Sequence, residues 1–142
     1  MNYELKVIVI KMEELTEKLK TIEGVSRVEF WRKRRLPIRG ASKATFVPAV
    51  QFDLECNVSH SDIMGTAKAL GFEMPERPEV DKHFFHPLNP GAAISFASPN
   101  QERRIKIGES THFAIVSRET LKDKTRKDIL NLLRTLLRTS AH

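Results

Sequence analysis

The sequence predicts an α+β protein with an antiparallel sheet and helices packed on one face. Three observations predict it. Val25–Arg32 and Thr45–Asn57 alternate apolar and polar residues at the period of a strand. Lys11–Glu23, Asp62–Leu70 and Arg118–Thr139 space their apolar residues at the period of a helix. Between the last two lie short β-rich runs separated by Pro, Gly and Asn. The 142 residues are 40% hydrophobic and 30% charged, which suits one ordinary globular domain.

Residues 1–72 form the first half of that reading. Tyr3–Ile10 is dense in β-branched residues and reads as a strand. Met12, Leu15, Leu19 and Ile22 then mark one face of a helix, which Gly24 stops. In Val25–Arg32, Val28 and Phe30 face one way, and Arg27, Glu29 and Trp31 the other. A loop broken by Pro37 and Gly40 leads to the next strand, whose Phe46, Val50, Phe52, Leu54 and Cys56 share a side. Pro48 cannot donate to a ladder, which favours an edge position for that strand. Ser59 or Ser61 caps the helix that buries Ile63, Ala67 and Leu70, and Gly71 ends it. The order β-α-β-β-α is a ferredoxin-like start.

Residues 73–142 form the second half, which the reading joins to the first in one compact unit. It opens with the Pro-rich, acidic turn Glu73–Val80. Short strands follow at Lys82–His86, Ala92–Ala97, Arg103–Ile107 and His112–Val116, with turns at Asn89–Gly91, Ser98–Asn100 and Gly108. A long helix, Arg118–Thr139, closes the chain. Its apolar stripe is Leu121, Ile129, Leu132, Leu133, Leu136 and Leu137, with Lys122, Arg126, Lys127, Arg134 and Arg138 largely off it.

Several function classes are not indicated. No apolar run approaches the ~20 residues of a membrane span, and Leu5–Ile10 is too short for a secretory signal. The lone Cys56 excludes an internal disulfide and fits a reducing, cytoplasmic setting, with the thiol a small buried hydrophobe on its strand. The chain has no GxxxxGK[ST], GxGxxG after a strand, GxSxG or CxxC. His83 and His86 form an HxxH pair, but strand residues three apart face opposite sides, so no metal site and no cofactor are expected.

Charge is the informative property. Trp31–Lys43, WRKRRLPIRGASK, holds Arg32, Lys33, Arg34, Arg35, Arg39 and Lys43 with no acid, a charge of +6 that equals the net charge of the chain. A basic arm of this kind takes phosphates, bidentately through guanidinium groups, while Trp31 stacks on a base or ribose. Arg103, Arg104 and Lys106 extend the basic surface from a strand. The expected partner is therefore RNA or DNA. One alternative is a metal-independent ribonuclease using His112 beside Arg103 or Arg104. Another is a regulator whose arm docks an acidic protein, with the edge strand near Pro48 supporting assembly. Oligomeric state is left open.

From Ser61 onward the chain resembles the HicA (YcfA-like) mRNA-interferase toxins of toxin–antitoxin modules. The residues that carry the resemblance are Lys68–Glu73, Gly91–Phe96, Arg103–Ile107 and Thr125–Leu130. It implies a double-stranded-RNA-binding-domain-like fold over residues 61–139 and favours RNA as the ligand. The position of the family's catalytic histidine is Ala93 here, and that of the preceding serine is Ala92. The resemblance therefore implies RNA binding without that nucleolytic group, or with another histidine such as His112 in its place.

Overall fold

A computed structural model of the chain describes residues 3–36, 45–97 and 110–139. These contain helices α1 (Tyr3–Leu19), α2 (His60–Ala69) and α3 (Asp123–Thr139). They also contain strands β1 (Val25–Leu36), β2 (Thr45–Leu54), β3 (His83–His86), β4 (Asn89–Ala97) and β5 (Thr111–Ser117). Neighbouring strands are antiparallel, in the order β1-β2-β5-β4-β3, so the two halves of the chain share one sheet. One face carries the core: Val50, Phe52 and Leu54 of β2, Phe113 and Ile115 of β5, Ile94 and Phe96 of β4, and Phe84 of β3. All three helices pack their apolar stripes into that core, α1 through Met12, Leu15 and Leu19 and α3 through Ile129, Leu132, Leu133 and Leu136.

The first element is a helix, not the expected strand. Tyr3–Ile10 runs unbroken into the segment after it, so the chain opens α-β-β-α and has no ferredoxin-like start. The helical period extends backward: Ile8, Val9, Met12, Leu15, Thr16 and Leu19 are buried, while Lys6, Ile10, Glu13 and Glu17 are exposed. Burial of that stripe outweighs the weak helix preference of Val and Ile. The helix stops at Leu19, and Gly24 serves the turn beyond it, at φ 98° and pressed against Leu137.

At α2 the expected caps are present. The Ser59 Oγ accepts from the Asp62 backbone N–H at 3.1 Å. Gly71, at φ 96°, lets its own N–H reach the Lys68 carbonyl while that of Phe72 reaches Ala67.

Strand β1 is longer than expected and has two irregularities. Residues 31–36 are strand rather than loop, and 37–44 lie outside the described residues. Between Ser26 and Glu29, and again between Trp31 and Arg34, two β1 residues face one residue of β2. Pro48 is that single residue in the second case. This explains how a proline sits on β2, an interior strand rather than the expected edge: it faces a bulge on one side and lies past the last β5 pair on the other. Phe46 has the core side's parity yet is 58% exposed, because it also lies beyond β5. Strand β2 ends at Leu54, so Cys56 is off the strand, half-buried against the core.

Asn89–Gly91 is not a turn. The β3–β4 hairpin turns at Pro87 and Leu88, and Asn89 begins β4 fully buried. Its Oδ1 accepts from the Lys122 backbone N–H at 3.0 Å and from the Thr125 hydroxyl, and its Nδ2 donates to the Thr120 carbonyl at 2.9 Å. Arg118 N–H meanwhile bonds the Gly91 carbonyl. Residues 118–122 are thus tied to β4, and α3 starts at Asp123 rather than Arg118. The expected turns at Ser98–Asn100 and Gly108 and the strand Arg103–Ile107 lie outside the described residues.

His86, buried on the core side, joins the same network. Its Nδ1 accepts the Leu88 N–H at 3.1 Å, which leaves the proton on Nε2 to donate to Asp128 Oδ2 at 2.7 Å. Burial disfavours the Asp128 carboxylate, but the hydrogen bonds from His86 and Lys124 and the nearby Lys124 charge outweigh it. They hold the pKa below the ordinary 3.8. The contribution is fully present above the ordinary value and is lost as pH falls through the lower, folded one. Urea midpoints followed from neutrality to about pH 2 should therefore fall less steeply below pH 3.8 in Asp128→Asn than in the wild type. Identical acid limbs would show that Asp128 does not carry this dependence.

Candidate nucleic-acid interface

No described helix packs on the other face of the sheet. Three rows of cross-strand neighbours cross it. Ala93, Val116, Ala49 and Trp31 align in the first, and Ser95, Ala114, Gln51 and Glu29 in the second. Ala97, His112, Asp53 and Ser26 form the third. Ala49 and Ala114 are small members of the two central strands, which also carry Val116, Gln51, Asp53 and His112, while Trp31 and Glu29 stand on the edge strand β1. Trp31, 41% exposed, marks one end. In the middle row the Gln51 side chain donates to Glu29 at 3.1 Å.

Beyond Trp31 the sheet narrows to a two-stranded ribbon. Strand β2 pairs with β5 only from Ala49 to Leu54, whereas β1 and β2 stay paired to Leu36 and Thr45. Arg32–Leu36 therefore continue past the β5 ladder for about 16 Å, at ~3.3 Å per residue. Arg32 and Lys33 fall at the bulge opposite Pro48 and are exposed, and Arg34 is half-buried. None of the three joins an ion pair among the described residues. Arg35 is paired through its backbone with Phe46. Arg39, Lys43, Arg103, Arg104 and Lys106, also expected at the interface, lie outside the described residues.

Leu36 and Thr45 lie at one end of the sheet, and Ala97 and Thr111 at the other. Residues 37–44 join the Leu36 and Thr45 ends of the ribbon. Thr111 pairs with Leu54 at the other end of β2, and Ala97 pairs with His112 beside it. Thr45 and Leu54 are about 30 Å apart along the strand.

His112 lies at the end of the sheet away from the ribbon. Asp53 Oδ1 accepts from its Nδ1 at 2.8 Å, and Arg27 Nε stands 3.7 Å from Asp53 Oδ2. A carboxylate acceptor fixes the ring proton on Nδ1 and leaves Nε2 with a lone pair and no partner among the described residues. The His112 side chain is 47% exposed and that of Asp53 13%. Such an imidazole is held in one orientation with its basic nitrogen open. Sequence reasoning found His112 but missed Asp53 and Arg27. Asp53 is the single acid of β2, a usable signal, but its pairing with His112 depends on β2 and β5 being neighbours.

His83 lies on this face and His86 on the opposite one, as the strand period requires. No group of three or more His, Cys, Asp or Glu suited to a metal ion occurs among the described residues. No helix among them is long and apolar enough to cross a membrane. No protein-family model, curated protein or solved structure matches the chain.

Arg27 occupies the left-handed region at φ 52°, which costs a non-glycine residue roughly 1–2 kcal/mol. Its side chain is 85% exposed, and so its long contact to Asp53 returns little. Arg27→Gly should therefore raise stability by about 0.5 kcal/mol in urea denaturation, after allowing for the entropy of glycine. A loss of stability would mean that the Asp53 contact outweighs the strain.

Proposed function

We propose that the chain binds nucleic acid, RNA in preference to DNA, through the basic β1–β2 ribbon. The observation that carries this is the run Arg32–Lys33–Arg34 on a strand that outruns its sheet, with no ion pair to a described acid. Charges concentrated on an edge and paired with no described acid favour a polyanion partner. The guanidinium groups take phosphate oxygens bidentately, Lys33 acts as a point charge, and each neutralised phosphate releases counterions. Trp31, at the root of the ribbon, supplies a stacking surface. A two-stranded ribbon also has the width to enter a duplex major groove of B-form DNA, so DNA is the competing ligand.

The preference for RNA rests on the resemblance of residues 61–139 to the toxin family. Of the stretches that carry the resemblance, Lys68–Glu73, Gly91–Phe96 and Thr125–Leu130 lie at the end of α2, in β4 and in α3, and Arg103–Ile107 lies outside the described residues.

Fluorescence anisotropy with labelled single-stranded RNA, duplex RNA and duplex DNA at two salt concentrations tests the proposal. The variant carrying Arg32→Ala, Lys33→Ala and Arg34→Ala should bind at least about tenfold more weakly. Its plot of log affinity against log salt should be shallower by about 0.7–0.9 for each phosphate that is no longer neutralised. Absence of binding by the wild type, or equal binding by the variant, overturns the reading. An acidic protein then becomes the partner to seek.

A second reading, metal-independent cleavage of RNA, is favoured by one observation: the open Nε2 of an aspartate-held His112. It can accept the proton of a 2′-hydroxyl as that oxygen attacks the adjacent phosphorus, and return a proton to the departing 5′-oxygen. Ala93 lies on the same sheet face but about 13 Å along it, so His112 does not occupy the position of the family's histidine. Under this reading His112→Ala abolishes 2′,3′-cyclic phosphate product while binding to a 2′-deoxy strand persists. Equal product from the variant would exclude His112.

A further inference from the structure

The helical side of the molecule holds a groove remote from the ribbon residues. Glu14, Leu15 and Lys18 of α1 and Asp123, Arg126, Lys127, Leu130 and Arg134 of α3 line a cavity of about 330 Å³. Leu15 and Leu130 are buried side chains of the core and give it an apolar floor. That volume falls at the lower end of the range for small-molecule sites.

The charges around it are not equivalent. The Arg126 side chain is only 14% exposed and is fully engaged: it donates to the Leu121 carbonyl at 2.7 Å, pairs closely with Asp123 and lies 3.7 Å from Glu14. Glu14 also pairs with Lys11. Both carboxylates of the groove therefore already have a cationic partner. Lys18, Lys127 and Arg134 are exposed and join no ion pair among the described residues. Three open cations thus line a cavity whose acids are compensated and whose floor is apolar.

An occupant must match both features. A single carboxylate leaves two of the three cations without a counter-charge, whereas a phosphomonoester brings about −1.5 to −2 charges and three acceptor oxygens. The leucine floor and the methylene stems of the lysines and arginine favour an attached apolar or planar body. We propose that this α1–α3 groove binds a small phosphomonoester with a planar body, of nucleoside-monophosphate size. The site shares no residue with the ribbon, so it stands or falls separately from nucleic-acid binding.

Titration calorimetry of the full chain with adenosine 5′-monophosphate tests this, with adenosine and inorganic phosphate as controls. Saturable one-to-one binding is expected, with each control at least about tenfold weaker. The variant with Lys18→Ala, Lys127→Ala and Arg134→Ala should lose at least tenfold in affinity at unchanged circular dichroism. The ribbon variant should bind like the wild type. No saturable binding, undiminished affinity in the groove variant, or a loss confined to the ribbon variant would each overturn the proposal. RNA anisotropy on the same three proteins reports independently on the ribbon.

Discussion

The pairing of β2 with β5 is the constraint on which the rest of the molecule depends. It is the junction where the first half of the chain joins the second, and its register assigns every neighbouring side chain to a face. Phe52 faces Phe113 in the core, their rings 5.5 Å apart and nearly parallel, a contact that adds about 0.5–1.5 kcal/mol beyond area burial. The next pair, Asp53 with His112, falls on the helix-free side and forms the polar contact there. A shift by one residue would turn one strand over and set Asp53 opposite Phe113, burying that carboxylate and exposing the ring of Phe52. The register that stabilises the core therefore also creates the histidine site.

Stability and chemistry are divided between the two sides of the sheet. The apolar cluster, the Asn89 network and the His86–Asp128 contact lie toward the helices, where they hold α3 to the β3–β4 hairpin. The helix-free side carries small residues, a tryptophan and a polar pair, and beyond it lies a basic run that joins no ion pair among the described residues. Substitutions of Arg32 and Lys33 thus alter charge without emptying the core, because both side chains are exposed and lie past the β5 ladder.

Local signals were legible where local physics decides. Ser59 as cap, Gly71 as stop and the alternation of Val28 and Phe30 follow from one or two residues each. The helix over Tyr3–Ile10 was disguised because its β-branched residues favour a strand, and only the stripe continuing to Leu19 decides otherwise. Asn89-Pro90-Gly91 carries turn residues, but buried Asn89 spends its hydrogen bonds on the start of α3, a partner more than thirty positions away. Of the site, the basic residues could be read directly. The strand conformation of Lys33–Arg35 could not, since pairing across Pro48 requires a bulge that composition does not reveal. Asp53 and Arg27 were hidden for the same reason: their meeting depends on register.

The two irregularities of β1 have a consequence for how copies of this chain meet. Among the described residues strand β1 is an edge of the sheet and its longest strand, a place where an additional strand from another molecule would dock. Such a newcomer would fall out of step with the ladder at Arg27 and again at Arg32–Lys33, and in like-with-like pairing it would confront its own positive run. The edge is thereby a poor template, and the same residues proposed to contact a polyanion discourage sheet-to-sheet growth into fibrils.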